Sequence, residues 1–346
     1  MALLWIEGFE GIGTTTGSAP SPTNVLARKY SVIANESSMR VQTGRLAGYC
    51  LNLTGAGQWV QPATLTTNAT MVLGAAFKFT SVNALVGFLN FYDGATQGMN
   101  LYMAGGGEIS VRRGTTVLAT TSGLGLTVGA WYYIEFKVLC HGSTGTYELR
   151  VDGVNKLSAS SQNTKAGSNN YHTTFLLAEG AVLSIGPYID DLYCLDGSGS
   201  ANNDFLGNHK VIAIVPDGDV GGYTDFTTST GADHYALVDE NPVNDNTDYV
   251  ESSGTNETDL WDYTAAANVG VIAGIQINTM ARETDATSFN LKTVIKSDTT
   301  VDADAGQAVG GTSFKSLRRI SEVDPFTAVP WTTDGINAAA FGIRVG

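Results

Sequence analysis

Trp131-Tyr-Tyr-Ile-Glu-Phe-Lys-Val138, Gly145-Thr-Tyr-Glu-Leu-Arg-Val-Asp-Gly153 and Ile185-Gly-Pro-Tyr-Ile-Asp-Asp-Leu-Tyr193 decide how this chain folds. In the first, Tyr132, Ile134, Phe136 and Val138 share one face at the two-residue period of a half-buried strand. The second closes on Asp152-Gly153, a pair that supplies the positive backbone angles of a tight hairpin turn, and Val154 opens the return. The third is a further strand carrying a pair of acids, Asp190-Asp191. Three strands of one sheet predict a jelly-roll sandwich of two sheets over residues 1–200.

The surrounding sequence extends that pattern. Short strands are expected at residues 3–9, 49–53, 59–60, 70–79, 84–92, 100–103 and 108–112, punctuated by glycine turns such as Gly105-Gly-Gly107. No apolar helical period rivals them. Asp196-Gly-Ser-Gly-Ser-Ala-Asn-Asn-Asp204 reads as a hinge, so a second domain is expected over 201–346. Within it a strand is expected at 210–215. Acidic, Gly/Thr-rich connections follow from 217 and over 239–257, then a turn of helix at 260–267 and strands at 269–280, 289–297 and 312–320. A short helix after Trp331 and a closing strand at 340–345 complete a smaller β-sandwich. No fixed repeat is visible, which excludes a solenoid or propeller.

Composition agrees with an all-β chain of two domains. The 346 residues exceed the roughly 100–200 of a single ordinary domain. Hydrophobic residues at 43% provide for packed cores, and 41 glycines suit many tight turns. With 19 basic against 33 acidic residues, the net charge of -14 repels phosphate backbones, so no nucleic-acid partner is expected. Met1-Ala-Leu-Leu-Trp-Ile-Glu7 lacks the basic start of a secretory signal, and no segment approaches the ~20 apolar residues that cross a bilayer. Synthesis and assembly in a cytoplasm, without membrane insertion, are the expectation. Cys50, Cys140 and Cys194 are odd in number and widely spaced, which favours buried free thiols over a disulfide framework or zinc site.

The first half resembles the concanavalin A-like, laminin-G-like jelly rolls. The resemblance lies in Glu7-Gly-Phe-Glu10, Trp131-Tyr-Tyr-Ile-Glu-Phe136, Tyr147-Glu-Leu-Arg-Val-Asp-Gly153 and Ile189-Asp-Asp-Leu-Tyr193, and covers residues 1–196. The second half resembles the C-terminal part of tailed-bacteriophage virion proteins with such a jelly roll in front. It does so through Asp190-Asp-Leu-Tyr193 with Asn203-Asp-Phe-Leu-Gly207, His209-Lys-Val-Ile-Ala-Ile-Val-Pro216, His234-Tyr-Ala-Leu-Val-Asp-Glu240, Asp248-Tyr-Val250 and Glu322-Val-Asp-Pro-Phe-Thr-Ala-Val-Pro-Trp331 leading to Phe341-Gly342. The resemblance implies a component of the virion, in a tail, tail fibre or head-surface decoration. Other virion proteins would be its partners, and a homo-oligomer would suit such a particle.

Candidate chemistry is sparse. A retaining glucanase needs two carboxylates about 5 Å apart. The nearest look-alike, Glu322-Val-Asp324, is followed by Pro325-Phe326 where the second catalytic acid belongs, and it lies outside the jelly roll. His141, His172, His209 and His234 are scattered, with no metal-binding pair or nucleophile elbow. A non-enzymatic protein is therefore expected. Asp190 and Asp191, alternating across their strand, are the candidate calcium ligands, since calcium prefers hard oxygens. Among the aromatics, Trp59, Tyr92 and Tyr102 are the candidate carbohydrate platform, because a flat ring stacks on the apolar face of a pyranose. Trp261 and Trp331, near loops and prolines, are candidate interface anchors. The function expected first is a structural virion component held by protein–protein contacts. The alternatives are a tail protein that recognises a host-surface glycan and a polysaccharide hydrolase.

Overall fold

A computed structural model describes residues 2–20, 25–53, 55, 57–178, 185–267, 270–284 and 289–346. The chain divides into two compact units, Met1–Val211 and Ile212–Gly346. Both are built of antiparallel sheets, so the protein is all-β, as the alternation implied.

Among the described residues the first unit contains fifteen strands: β1 (Leu3–Glu7), β2 (Val32–Ala34), β3 (Arg40–Thr43), β4 (Tyr49–Asn52), β5 (Trp59–Gln61), β6 (Thr70–Lys78), β7 (Leu85–Asp93), β8 (Thr96–Ala104), β9 (Ile109–Arg113), β10 (Thr116–Thr120), β11 (Trp131–Leu139), β12 (Gly145–Val151), β13 (Val154–Gln162), β14 (Thr174–Leu177) and β15 (Tyr188–Leu195). They form an eight-stranded sheet in the order β13-β12-β11-β6-β15-β4-β3, with β1 also on β15, and a seven-stranded sheet in the order β10-β9-β8-β7-β14-β5-β2. The hairpin turn is where the sequence puts it: Asp152 and Gly153 both have positive φ, at 49° and 77°.

The two sheets enclose one core. Phe91 of β7 stacks on Phe136 of β11 at 5.6 Å, and Phe88 meets Phe77 of β6 edge-on at 5.2 Å. Each such buried ring stabilises the fold by about 1.5–3 kcal/mol. The three cysteines are buried and none is in a disulfide.

β11 departs from the half-buried reading. Ile134, Phe136 and Val138 face the core, as expected, but Tyr133 and Glu135 on the opposite face are also buried. The cause is the chain after β15, which folds back over the outer face of the eight-stranded sheet. Gly207 N and Tyr193 Oη both donate to Glu135 Oε1, and Leu206 N donates to Tyr193 Oη. Residues 201–211, expected in the second domain, thus belong to the first unit.

Among the described residues the second unit has ten strands: β16 (Pro216–Thr224), β17 (Thr227–Thr228), β18 (Val250–Glu251), β19 (Thr258–Tyr263), β20 (Ile275–Ala281), β21 (Asn290–Ser297), β22 (Thr300–Ala303), β23 (Gln307–Ala308), β24 (Lys315–Ser321) and β25 (Ala340–Val345). Six form a sheet in the order β16-β19-β25-β21-β22, with β23 on β21; β17-β18 and β20-β24 are two-stranded ribbons. The strand expected at 210–215 is absent and the acidic segment beyond it is β16 instead. Pairing with β19 supplies the hydrogen bonds that its glycines and aspartates do not advertise. The helix expected at 260–267 is strand β19, because Leu260 and Trp261 pair with Gly342 and Phe341 of β25. The strand expected at 269–280 begins at Ile275; residue 269 lies outside the described residues. The short helix after Trp331 is present at Thr333–Ala338, where the Thr332 side chain accepts from Gly335 N.

Candidate functional site

Asp190 and Asp191 do not alternate simply. A register shift between Asp190 and Tyr193, with Asp191 at φ 50°, lets Arg45 read both acids. Arg45 N donates to Asp190 Oδ2 at 2.7 Å, and Arg45 Nε donates to Asp191 Oδ2 at 2.8 Å. Asp191 N and Val211 N donate to the remaining carboxylate oxygens, Asp190 Oδ1 and Asp191 Oδ1. Every carboxylate oxygen of the pair accepts from an N–H and the Arg45 guanidinium supplies the counter-charge, so the structure shows the pair as an internal clamp. With Arg45 also bonded to Asn208 Oδ1 and the His209 carbonyl, it holds the returning segment on the sheet. No group of three or more His, Cys, Asp or Glu among the described residues is placed to hold a metal.

This network titrates. Burial first, then the Asp191 charge, pushes Asp190 up to about 7, although two backbone amides oppose it. Burial likewise pushes Glu10 up to about 7, opposed by the Tyr49 amide and Lys210 and aided by the Asp191 and Glu7 charges. For an acid with a raised pKa, stability is fully present below its unfolded value and is lost as pH rises through the folded one. His172, pushed down to about 4 by burial, acts in the opposite sense and loses stability in acid. A variant must therefore be compared with its parent. Glu10→Gln is expected to change the thermal midpoint little at pH 4 and to raise it relative to the parent at pH 8; a difference independent of pH would contradict the assignment.

The expected interface anchors are core residues. Trp261 is 4% exposed and Trp331 3%, packed against Phe226 and Phe341 among others in the second unit, so neither ring is offered to a partner. The look-alike Asp324 accepts from Phe326 N and Thr327 Oγ1, closing a turn. His234 Nδ1 lies 2.6 Å from Asp259 Oδ2, but no hydroxyl or thiol bonds His234 among the described residues, and Asp259 also accepts Phe226 N. It is a buried brace. A cleft of about 480 Å³ in the second unit lies between Gly270–Ile272 and Pro330–Asp334 and gathers one charged side chain, Asp334.

The three candidate platform aromatics fall on one sheet. Trp59 is on β5, Tyr92 on β7 and Tyr102 on β8, all partly exposed, while their neighbours Val60, Phe91 and Leu101 are wholly buried in the core. Alternation therefore puts all three on the outer face of the seven-stranded sheet. They do not form one continuous platform. Between them runs a polar row that the sequence reading missed: Leu176, Asn90, Asn100 and Arg112 stand opposite one another across β14, β7, β8 and β9. One residue pair further along, Tyr102 stands between Gly87 and Ser110.

Each amide of the row is held. Asn90 Nδ2 donates to the carbonyls of Leu176 and Ala178, and Gln97 Nε2 donates to Asn90 Oδ1 at 3.2 Å. Asn100 Nδ2 donates to the carbonyls of Gly98 and Gly114. The Arg112 guanidinium lies over the Tyr102 ring, 4.0 Å from its centroid. Two atoms of the row are buried without a hydrogen-bond partner among the described residues, Asn100 Oδ1 and Arg112 Nε. Asn90 and Asn100 are themselves wholly buried, so the part of the row that reaches the surface is the Arg112 side chain on Tyr102. The one sequence signal for the row is the matched spacing of Asn90-Phe-Tyr92 and Asn100-Leu-Tyr102.

No protein-family model matches the chain, and no curated protein matches it in sequence. Solved structures similar to it include an endo-β-1,4-glucuronan lyase from the fungus Trichoderma reesei, at 12% identity, 48% of this chain, 90% of that chain and TM-score 0.38. Domain 4 of an extracellular GH43 arabinanase from Geobacillus stearothermophilus, in complex with arabinotriose, is similar at 16% identity, 56% of this chain, 93% of that chain and TM-score 0.40. An alginate lyase is similar at 13% identity, 55% of this chain, 95% of that chain and TM-score 0.39. These are likenesses of fold and transfer no residue's role. They correct one expectation, that of a non-enzymatic chain. Polysaccharide lyases stand among its fold neighbours, so a missing glucanase acid pair does not separate it from enzymes.

Proposed function

We propose that this chain is a glycan-recognition protein of a tailed-phage particle, and that the outer face of its seven-stranded sheet takes a polysaccharide of the host surface. The observation that carries the reading is the half-buried Arg112 and Tyr102 on neighbouring strands, with Tyr92 and Trp59 half-buried on the same face of the sheet. The guanidinium gives directional donors for hydroxyls, and the aromatic rings give apolar faces for the C–H side of a sugar. Neither feature serves the core, which lies on the other side of the sheet. The phage setting rests on the resemblance carried by residues 190–331, with other virion proteins and further copies of the chain as the partners.

A glycan array of bacterial surface polysaccharides tests the reading. The intact chain is expected to bind at least one of them. Tyr102→Ala and Trp59→Ala should each weaken that binding about tenfold, the 1.4 kcal/mol of a lost ring contact. An intact chain that binds no host polysaccharide would overturn the reading. The same incubations, followed for new reducing ends, establish whether the bound polysaccharide is also cut.

A further inference from the structure

We infer that a second copy of this chain adds its own β20 to the open edge of β20, antiparallel and two-fold symmetric about Thr279. This gives a place to the contact between copies in the reading above and does not involve the glycan face. β20 pairs with β24 and with no other strand among the described residues. Its register is unbroken from Ile275 to Ala281. Ile275 and Ile277 pack on the core around Trp331, yet none of the seven residues is fully buried. The strand holds no charged residue, no proline and no glycine.

Such an edge pairs with any strand that meets it, and natural sheets guard their edges with bulges, charges or short length. This chain guards its others. Besides β20, the edge strands of five or more residues among the described residues are β1, β10, β13, β16 and β24. The first four have register shifts in their pairing, and β24 carries Lys315, Arg318 and Arg319. The remaining edge strands hold two to four residues. On the far side of β24, Gln307 Nε2 donates to the Arg318 carbonyl. Among the described residues β20 alone is long, regular and neutral, which marks it as an edge built to be paired.

Charge and symmetry together name the occupant. Two chains of net charge -14 repel one another over most of their surfaces. The ribbon of β20 and β24, with Arg282 next to it, holds four cations, Arg282, Lys315, Arg318 and Arg319, and no acid. It therefore attracts an incoming copy where the rest of the chain opposes it. A two-fold pairing sets Thr279 against the same residue of the other copy, Ile277 against Ala281 and Asn278 against Met280. No like charges are brought opposite one another. Each copy supplies the backbone partners that the other's edge lacks, and two ribbons become one sheet of four strands. Because side chains alternate along a strand, Ile277 and Ala281 stay on the core side in both copies.

Analytical ultracentrifugation of the full chain over ~1–100 μM tests this, and a dimer is expected. Asn278→Lys combined with Met280→Lys sets like charges opposite each other at two places across the two-fold, and should weaken association about tenfold or more. It does so while making the chain less acidic, so a general charge effect would act the other way. Asn278→Glu combined with Met280→Lys sets opposite charges at the same two places and should restore the dimer. Asn278 and Met280 alternate with the core-facing residues of β20, so the circular dichroism of both variants should match that of the parent, which separates lost pairing from lost folding. A chain that stays monomeric throughout would overturn the inference. A dimer that ignores the double-lysine variant, or one that the charge-reversed variant fails to restore, would overturn it as well and place the contact elsewhere. None of these outcomes touches the glycan reading, which the array decides.

Discussion

Arg45→Ala is expected to destabilise the first unit by about 3–5 kcal/mol, because it strands the Asp191 carboxylate in a buried site. Arg45 and Asp191 have side chains only 10% and 4% exposed, and the guanidinium also bonds Asn208 Oδ1 and the His209 carbonyl. One substitution thus removes an ion pair and the fastening of the returning segment together. For a unit of this size the thermal midpoint should fall by roughly 10 °C. Protease cleavage within residues 204–211 should become faster at temperatures well below that midpoint. Adding Asp191→Asn should recover part of the loss, since asparagine tolerates the positive φ of 50° at this position and carries no charge. A cost below about 1 kcal/mol would show the pair to behave like an exposed ion pair and would remove its structural role.

The second large effect is expected at Gly74. It stands in register between Glu135 of β11 and Tyr193 of β15, and a Cβ built there would come within 2.3 Å of the Tyr193 ring. Only glycine lets that ring lie flat on the sheet and reach Glu135. Gly74→Ala should cost about 1–3 kcal/mol through displaced side chains, despite alanine being the better strand residue. Tyr193→Ala costs stability by itself, yet the double variant should lose less than the sum of the two, because the clash disappears with the ring. Strictly additive losses in denaturant unfolding would contradict this account.

Both effects concern a part of the molecule that the sequence describes only halfway. Alternation over residues 131–138 was enough to put Ile134, Phe136 and Val138 in the core, and Asp152-Gly153 was enough to place the hairpin. Nothing in Tyr133 or Glu135 announces that a segment seventy residues later covers them, because that burial comes from tertiary contact and not from local pattern. For the same reason the boundary expected at 200 lies at 211. In the second unit, β16 and β19 were missed because their glycines, aspartates and mixed apolar positions acquire strand character from their partners.

The candidate face was legible in a similar fraction. Trp59, Tyr92 and Tyr102 stand out by residue type, and alternation gives them a common face. Asn90, Asn100 and Arg112 are ordinary residue types taken singly, and nothing in the sequence shows that the two asparagines are wholly buried. They become a row only when the registers of β7, β8 and β9 are known, including the irregularities between Gly87 and Leu89 and between Asn90 and Tyr92 that decide which residues stand opposite. The acids misled in the other direction: Asp190-Asp191 is conspicuous in sequence, and the bulge at Asp191 turns it into an internal clamp.

The central claim is that the outer face of the seven-stranded sheet is a sugar-binding surface. A crystal structure of the chain with the polysaccharide fragment that binds it best tests this most directly. The account predicts a sugar ring over Tyr102, with its oxygens within hydrogen-bond distance of the Arg112 guanidinium. A fragment bound elsewhere, with Arg112 still lying on Tyr102, would contradict it.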